Sequence, residues 1–210
     1  MKDYRLNLTF FLTTIALFSI SIVGITLLIS KENYCFSDFL YLLLNYSFVT
    51  IPLSLIWLYF EKIGWRNRCW KWIGRFLNFP PDLRGRWEGT LDRANENNPH
   101  KFVIEIKQTM TKIQVNTYSN YGSSSSIIDS ICTDKMEDDF ILCYLWEGET
   151  KPLSTQVGES GIFRGYTILT FIGTNDDKRL KGDYFTNRKP LQTMGVIDVS
   201  WIGIELKKKY

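Results

Sequence analysis

The sequence predicts a two-helix transmembrane hairpin followed by an all-β domain, a compact eight-stranded antiparallel up-and-down β-barrel. Two uncharged stretches of 22 residues lie near the N-terminus, and beyond Pro81 apolar side chains recur with the two-residue period of strands. Short turn-forming breaks separate those strands, which favours antiparallel neighbours. The expected domains are the hairpin at 1–60, a juxtamembrane neck at 61–80 and the barrel at 81–210.

The two predicted spans cover residues 8–29 and 39–60, which contain no charged side chain. A helix of this length is about 33 Å long, close to the roughly 30 Å hydrocarbon core of a bilayer. A cleaved signal peptide is the alternative for the first stretch, but Ser30-Lys31-Glu32-Asn33 offers no small-residue cleavage site. We therefore predict a multi-pass protein in which the lipid bilayer surrounds the helical hairpin.

The charges that flank the spans predict their orientation. The first five residues carry a net charge of +1, the turn at 31–38 carries −1, and Glu61–Arg75 carries +4, from five bases and one acid. Basic flanks stay on the cytoplasmic side, so both termini and the barrel are predicted to be cytoplasmic. From Pro80 onward 17 bases face 18 acids. The barrel therefore lacks the basic surface expected of a protein that binds DNA or RNA polymers.

The neck at 61–80 is basic and rich in tryptophan. In a helix, Trp65, Cys69, Trp72 and Phe76 fall on one face, which is typical of a short amphipathic helix lying in an anionic leaflet. Pro80-Pro81 then ends the helix and marks the domain boundary.

Eight strands are predicted beyond the neck. Their bounds are Leu83–Arg93, His100–Gln108, Lys112–Ser119, Ser125–Thr133, Phe140–Glu147, Gly161–Ile172, Arg179–Thr186 and Thr193–Ile202. A closed barrel leaves no exposed strand edge, so it is the preferred arrangement, with a β-sandwich as the alternative. Barrels of this size are filled by side chains or hold one small ligand.

Strand alternation predicts which side chains point together. In the first predicted strand Leu83, Gly85, Trp87, Gly89 and Leu91 share a face. Gly85-x-Trp87 resembles the opening motif of lipocalins, which implies a tryptophan that plugs the closed end of the barrel.

The last two predicted strands bring polar side chains to one end of the barrel. Tyr184, Thr186 and Thr193 are expected to converge near the hairpin that joins the strands, with Arg188 in its loop. Arg188 could form charge-assisted hydrogen bonds to a phosphate. The alternative for this arginine is a solvated loop side chain.

Aromatic side chains offer surfaces on which nucleobases could stack. The candidates are Tyr184 and, with weaker support, Tyr121, Tyr144 and Trp146. Packing in the core or at the rim is the alternative for each. Recognition of a ligand therefore depends on threonine hydroxyls, an arginine and aromatic rings meeting at one barrel mouth.

The sequence favours a binding protein over an enzyme. It has no G-x-S-x-G, no phosphate-binding P-loop and no H-E-x-x-H motif. His100 is the single histidine, and Cys35, Cys69, Cys132 and Cys143 form no C-x-x-C pair, so these residues are interpreted as a strand-starting side chain and small apolar residues. No catalytic residue, metal or cofactor is expected.

The whole chain resembles the membrane-anchored, β-strand-rich effectors of bacterial cyclic-oligonucleotide-based anti-phage signalling (CBASS). The resemblance lies in the two spans, the tryptophan-rich neck, Leu83-Arg84-Gly85-Arg86-Trp87-Glu88-Gly89, and Leu180-x-Gly182-x-Tyr184-Phe185-Thr186-x-Arg188 followed by Thr193-x-Gly195-x-Ile197. It implies a receptor for a cyclic dinucleotide made by a cognate nucleotidyltransferase, with Tyr184, Thr186, Arg188 and Thr193 in the ligand site.

The same resemblance implies a mechanism at the bacterial inner membrane. Ligand binding would drive the protein into a homo-oligomer, and the assembled spans would disrupt the membrane in abortive infection. The alternative is a constitutive membrane-anchored scaffold whose barrel binds a protein or a lipophilic ligand. A wholly apolar barrel interior would favour the scaffold.

Overall fold

The protein is described by a computed structural model. The described residues are 2–3, 13, 21, 51–52, 54–67, 80–94, 98–120, 122–133, 139–150, 162–173, 177–189 and 192–208. Most of both predicted spans and most of the neck, with Cys35, Cys69, Trp72 and Phe76, lie outside these residues. The chain divides into two compact units, one formed by Met1–Asp3, Pro80–Gln108 and Lys112–Tyr210, the other by Tyr4–Phe79 and Thr109–Thr111.

The first unit is an all-β domain. Its strands are β1 (Lys2–Asp3), β2 (Gly85–Arg93), β3 (His100–Gln108), β4 (Ile113–Ser119), β5 (Gly122–Thr133), β6 (Phe140–Thr150), β7 (Ile162–Gly173), β8 (Lys178–Thr186) and β9 (Met194–Gly203). From β2 to β9 every strand pairs antiparallel with its neighbours in sequence, and β9 also pairs with β2. The predicted eight-stranded up-and-down barrel is therefore confirmed, and the sandwich alternative is wrong.

The strand bounds differ from the predicted ones by three residues at the start of β5 and by three at the end of β6. Glycine and serine are common in turns, and the predicted strand therefore begins at Ser125, after Gly122 and Ser123. In the structure Ser123 pairs with Tyr118 of β4 and with Glu149 of β6. Pairing on both sides outweighs the weak strand propensity of glycine and serine, so the strand begins three residues earlier.

The core fills the half of the barrel around Trp87. The Trp87 side chain is fully buried, donates a hydrogen bond from Nε1 to the Leu83 carbonyl at 2.9 Å, and meets Phe171 edge to face. Burial of a tryptophan removes a large apolar surface from water. The tryptophan of the Gly85-x-Trp87 motif therefore lies in the packed core.

A buried ion pair lies on the opposite face of β2. The Arg86 guanidinium donates to Glu105 at 2.8 Å and to Glu88 at 2.6 Å, and both Arg86 and Glu105 are almost completely buried. Backbone N–H groups of Lys207 and Lys208 also donate to the Glu105 carboxylate. Arg86 thus joins β2 to β3 beneath the C-terminal segment.

The second unit contains the described helical residues. Residues 51–52 and 54–62 are helical, and the 3-10 helix Gly64–Arg66 follows. Within the described part of the chain, no helix has the length and apolarity that a membrane crossing requires. The predicted transmembrane hairpin is therefore unconfirmed.

Candidate functional site

A cavity opens at the end of the barrel that lies away from Trp87. Its enclosed volume is about 80 Å³, and together with the open space at its mouth the empty volume is about 640 Å³. Strands from every part of the barrel contribute to its wall. The lining side chains that matter for recognition are Arg93, Thr117, Ser119, Ser123, Ser124, Tyr144, Trp146, Glu149, Phe163, Thr167, Tyr184, Thr186, Arg188 and Thr193.

A hydroxyl pair joins β8 to the residue before β9. The Thr186 and Thr193 hydroxyl oxygens are 2.7 Å apart, and the Thr193 backbone N–H donates to Thr186 Oγ1 at 3.1 Å. The Thr186 N–H donates in turn to the Thr193 carbonyl at 2.9 Å. These contacts fix two hydroxyl groups side by side at the cavity wall, where each can donate or accept a hydrogen bond.

Arg188 follows this pair at the cavity mouth. It is half-buried, and its guanidinium carbon lies 5.4 Å from the centroid of the Phe163 ring. Such a contact holds the guanidinium plane by attraction to the aromatic face, while its N–H groups remain directed along the plane. The arrangement suits binding of a phosphate at the mouth.

The inner wall of the cavity is aromatic. Trp146 donates from Nε1 to Thr167 Oγ1 at 2.9 Å and meets Phe163 edge to face at 5.7 Å between ring centroids. Tyr144 lies deeper: burial raises the pKa of its hydroxyl well above the usual value, and a hydrogen bond with Thr167 partly offsets this effect. Tyr144 therefore stays neutral, and Thr167 orients both rings.

Glycines leave room for these rings. Gly165 lies between Trp146 and Thr186 in the strand register, and a β-carbon there would collide with the Trp146 indole. Gly195 lies between Tyr184 and Arg93, and a β-carbon there would come within 2.9 Å of Tyr184 Cε1. Gly165 thus leaves room for the Trp146 indole next to Thr186 in the register, and Gly195 leaves room for the Tyr184 ring next to Arg93.

A second hydroxyl pair joins β4 to β5. Thr117 pairs directly with Ser124 across the two strands, and the hydroxyl oxygens are 2.6 Å apart. Thr117 is buried and Ser124 half-buried, and both line the cavity. This pair was not predicted, because Ser124 lies before the predicted start of the strand at Ser125.

Arg93 is a further residue that the sequence analysis missed. It lines the cavity at the last position of β2, and it is half-buried. The signal was present in the sequence: the shared face of the first strand, continued one step beyond Leu91, contains Arg93. With Arg188, it gives the mouth two cations; Glu149 is the acid among the lining residues named above.

The structure brings most of the predicted site residues together. The same cavity is lined by Tyr184, Thr186, Arg188, Thr193, Tyr144 and Trp146. Tyr121 lies outside the described residues, so its prediction stays open. His100 begins β3 and is not among the lining residues. In the described part of the chain, no cluster of His, Cys, Asp and Glu could hold a metal ion.

A family comparison gives this geometry a context. Residues 78–200 match the model of a protein family described as Cap15, cyclic dinucleotide receptor domain. The matched range includes every lining residue discussed above. A comparison with curated proteins found no match to this chain.

Proposed function

The chain belongs to the Cap15 family of cyclic dinucleotide receptor domains, and from that premise we propose that the mouth cavity is the ligand site of a CBASS antiviral effector. In this proposal Arg188 binds a phosphate of the cyclic dinucleotide, Thr186 and Thr193 bind polar groups beside it, and Tyr184, Tyr144 and Trp146 form the aromatic surface for a base. The ligand is the product of a cognate nucleotidyltransferase.

One observation carries the proposal: the polar and aromatic groups that a nucleotide needs converge at a single barrel mouth. A hydroxyl pair, two arginines and a buried tryptophan line the same cavity. Charge-assisted hydrogen bonds from arginine match phosphate, and aromatic faces accept any base. The barrel acts by binding alone, without catalysis, cofactor or metal.

The proposed output is membrane disruption. The uncharged stretches 8–29 and 39–60 anchor the protein in the inner membrane as a multi-pass protein with a cytoplasmic barrel. A ligand can shift an equilibrium only if it binds the assembled state more tightly than the resting state. Ligand-bound barrels therefore assemble, which raises the local concentration of the tethered hairpins in the membrane. The assembled hairpins then disrupt the membrane in abortive infection. An identical oligomer in cross-linking with and without ligand would contradict this step.

The alternative is a constitutive scaffold whose barrel binds a protein or a lipophilic molecule. The half of the barrel around Trp87 is packed with apolar side chains, but the cavity at the other end has hydroxyl groups and arginines in its wall. A lipophile would use none of the further hydrogen-bonding capacity of those hydroxyl groups and arginines. The polar mouth therefore favours the nucleotide receptor.

The proposal is tested by thermal melting of the full chain in detergent micelles against a panel of cyclic dinucleotides. A ligand that binds only the folded state raises the melting midpoint with its concentration. We expect one cyclic dinucleotide to raise it, and Arg188→Ala to weaken binding about ten- to hundredfold, because a hydrogen bond to a charged group is lost.

Arg164→Ala is the matched control for this test. Arg164 is exposed and forms an ion pair with Glu147, so its removal changes the net charge equally. The control should bind as the wild type does. A panel without any shift, or an equal loss in both variants, would overturn the proposal.

A further inference from the structure

The cavity has two hydroxyl pairs on opposite walls. Thr186–Thr193 joins β8 to the residue before β9, and Thr117–Ser124 joins β4 to β5. Around the closed ring of strands, β6 and β7 separate the two pairs on one side, and β2 and β3 separate them on the other. Both pairs line the same cavity. A ligand in the cavity would therefore meet adjacent hydroxyl groups on both sides.

The Thr117–Ser124 pair also lies beside an aromatic surface. In the strand register Ser124 of β5 pairs with Gly148 of β6, and Gly148 pairs in turn with Phe163 of β7. A β-carbon at Gly148 would lie 3.0 Å from the Trp146 ring and 3.2 Å from the Phe163 ring. Because glycine has no side chain, nothing from this position stands between the hydroxyl pair and the two rings.

We propose that Thr117 and Ser124 bind the polar edge of the second nucleobase of the cyclic dinucleotide while that base stacks on Trp146. This inference rests on the proposed function of the cavity. A hydroxyl group can donate to a ring nitrogen or carbonyl and can accept from an amino group, so the pair can read a base edge. The Thr186–Thr193 wall with Arg188 then holds the other half of the ligand.

The hydrogen-bonding capacity of the two hydroxyl groups supports this role for the pair. Thr117 is buried, and a buried hydroxyl costs free energy unless it forms a hydrogen bond. Its bond to Ser124 satisfies one donor and leaves acceptor capacity on both oxygens at the cavity surface. A ligand edge can use that capacity without breaking the bond between the strands.

The test uses the double variant Thr117→Val with Ser124→Ala in the full chain, with calorimetric titration of cyclic dinucleotides that differ in one base. Replacing both partners of a hydrogen bond by apolar groups of similar shape has little effect on stability, so the melting midpoint should stay near that of the wild type. We expect about tenfold weaker binding of the preferred ligand and a smaller difference in affinity between the ligands.

Two further variants separate ligand contact from folding. Ser125→Ala removes the neighbouring hydroxyl, which is exposed and bonds to Asn116, and should bind as the wild type does. The exchange Thr117→Ser with Ser124→Thr keeps both hydroxyl groups and should restore binding if the double variant folds poorly.

Each remaining outcome has a distinct meaning. If the wild type binds, Arg188→Ala binds more weakly, and the double variant binds as the wild type does, the second site is wrong while the proposed function stands. An equal loss for every cyclic dinucleotide would mean contact with the shared sugar–phosphate ring, and would overturn the assignment to a base edge. If the wild type binds none of them, the proposed function itself fails.

Discussion

At the scale of single residues, the cavity combines cations with fixed hydroxyl groups. Thr186 and Thr193 are held by backbone as well as side-chain hydrogen bonds, and Arg188 is held by the Phe163 ring. Side chains that are already positioned lose less entropy when a ligand binds. The mouth is therefore suited to recognition before any ligand arrives.

Arg93 provides the first prediction at this scale. It lines the cavity with Arg188, and Gly195 lies between it and Tyr184 in the register. We expect Arg93→Ala to weaken cyclic dinucleotide binding about tenfold, and more strongly at low salt, because it removes a cation from the cavity in which the phosphates are proposed to bind. Isothermal titration at two ionic strengths measures this effect.

Arg179→Ala is the control for that measurement. Arg179 is exposed and paired with Asp198, and it is not among the cavity-lining residues. Arg179→Ala removes the same charge from the barrel as Arg93→Ala does. If both variants weaken binding equally, the effect comes from net charge, and Arg93 is not a ligand contact.

The site residues that could be predicted from the sequence are those that strand alternation alone brings together. The convergence of Tyr184, Thr186 and Thr193 follows from one hairpin, because neighbouring strands fix which side chains meet. The hydroxyl pair on the opposite wall of the cavity could not be predicted from one hairpin. Thr117 and Ser124 face the other pair only because the ring closes through β2 and β9, which is a long-range property.

At the scale of elements, the junction between β4 and β5 is short. In the described residues three pairs join these strands, Asn116–Ser125, Thr117–Ser124 and Tyr118–Ser123, whereas eleven pairs join β5 to β6. A register shift between Ser126 and Ile128 interrupts β5 just beyond this junction. The Thr117–Ser124 hydrogen bond therefore lies at the junction between neighbouring barrel strands that has the fewest residue pairs.

Hydrogen exchange should report this difference. Backbone amides of β4 and of the first half of β5 are expected to exchange faster than those of β7 and β8, because local opening needs fewer bonds to break. Saturating cyclic dinucleotide should slow exchange at 116–118 and 123–125 if the ligand spans both walls. If the backbone amides of all strands were equally protected before ligand addition, the junction between β4 and β5 would not open more easily than the others, and this prediction would be wrong.

At the scale of the whole molecule, strand bounds were predictable to within a few residues, while burial of charge was not. Strand alternation puts Arg86 and Glu88 on the face of β2 opposite Trp87, which is the outer face of a barrel. The C-terminal segment covers that face instead, through the bonds from Lys207 and Lys208 to Glu105. Contacts between residues a hundred positions apart do not follow from local periodicity.

This buried cluster makes stability depend on pH. The hydrogen bond from Arg86 holds the pKa of Glu88 below its usual value of 4.5. A lowered pKa in the folded state means that ionised Glu88 stabilises the fold above that usual value, and that this contribution is lost as the pH falls through the lowered pKa. Glu88→Gln should therefore lower the melting midpoint at pH 7 and change it much less at pH 3.

Glu205→Gln is the control for the pH measurement, because Glu205 is an exposed carboxylate near the C-terminus. It should shift the melting midpoint little at either pH. A Glu88→Gln variant whose midpoint differs from the wild type equally at pH 3 and pH 7 would show that charge on Glu88 does not stabilise the barrel.

The most direct test of the central claim is a crystal structure of the chain with the cyclic dinucleotide that raises its melting midpoint most. The account predicts ligand density in the mouth cavity, with a phosphate at Arg188, one polar edge at Thr186 and Thr193, and a base against Trp146. Ligand density on the outer surface or between barrels, with the cavity filled only by solvent, would contradict it.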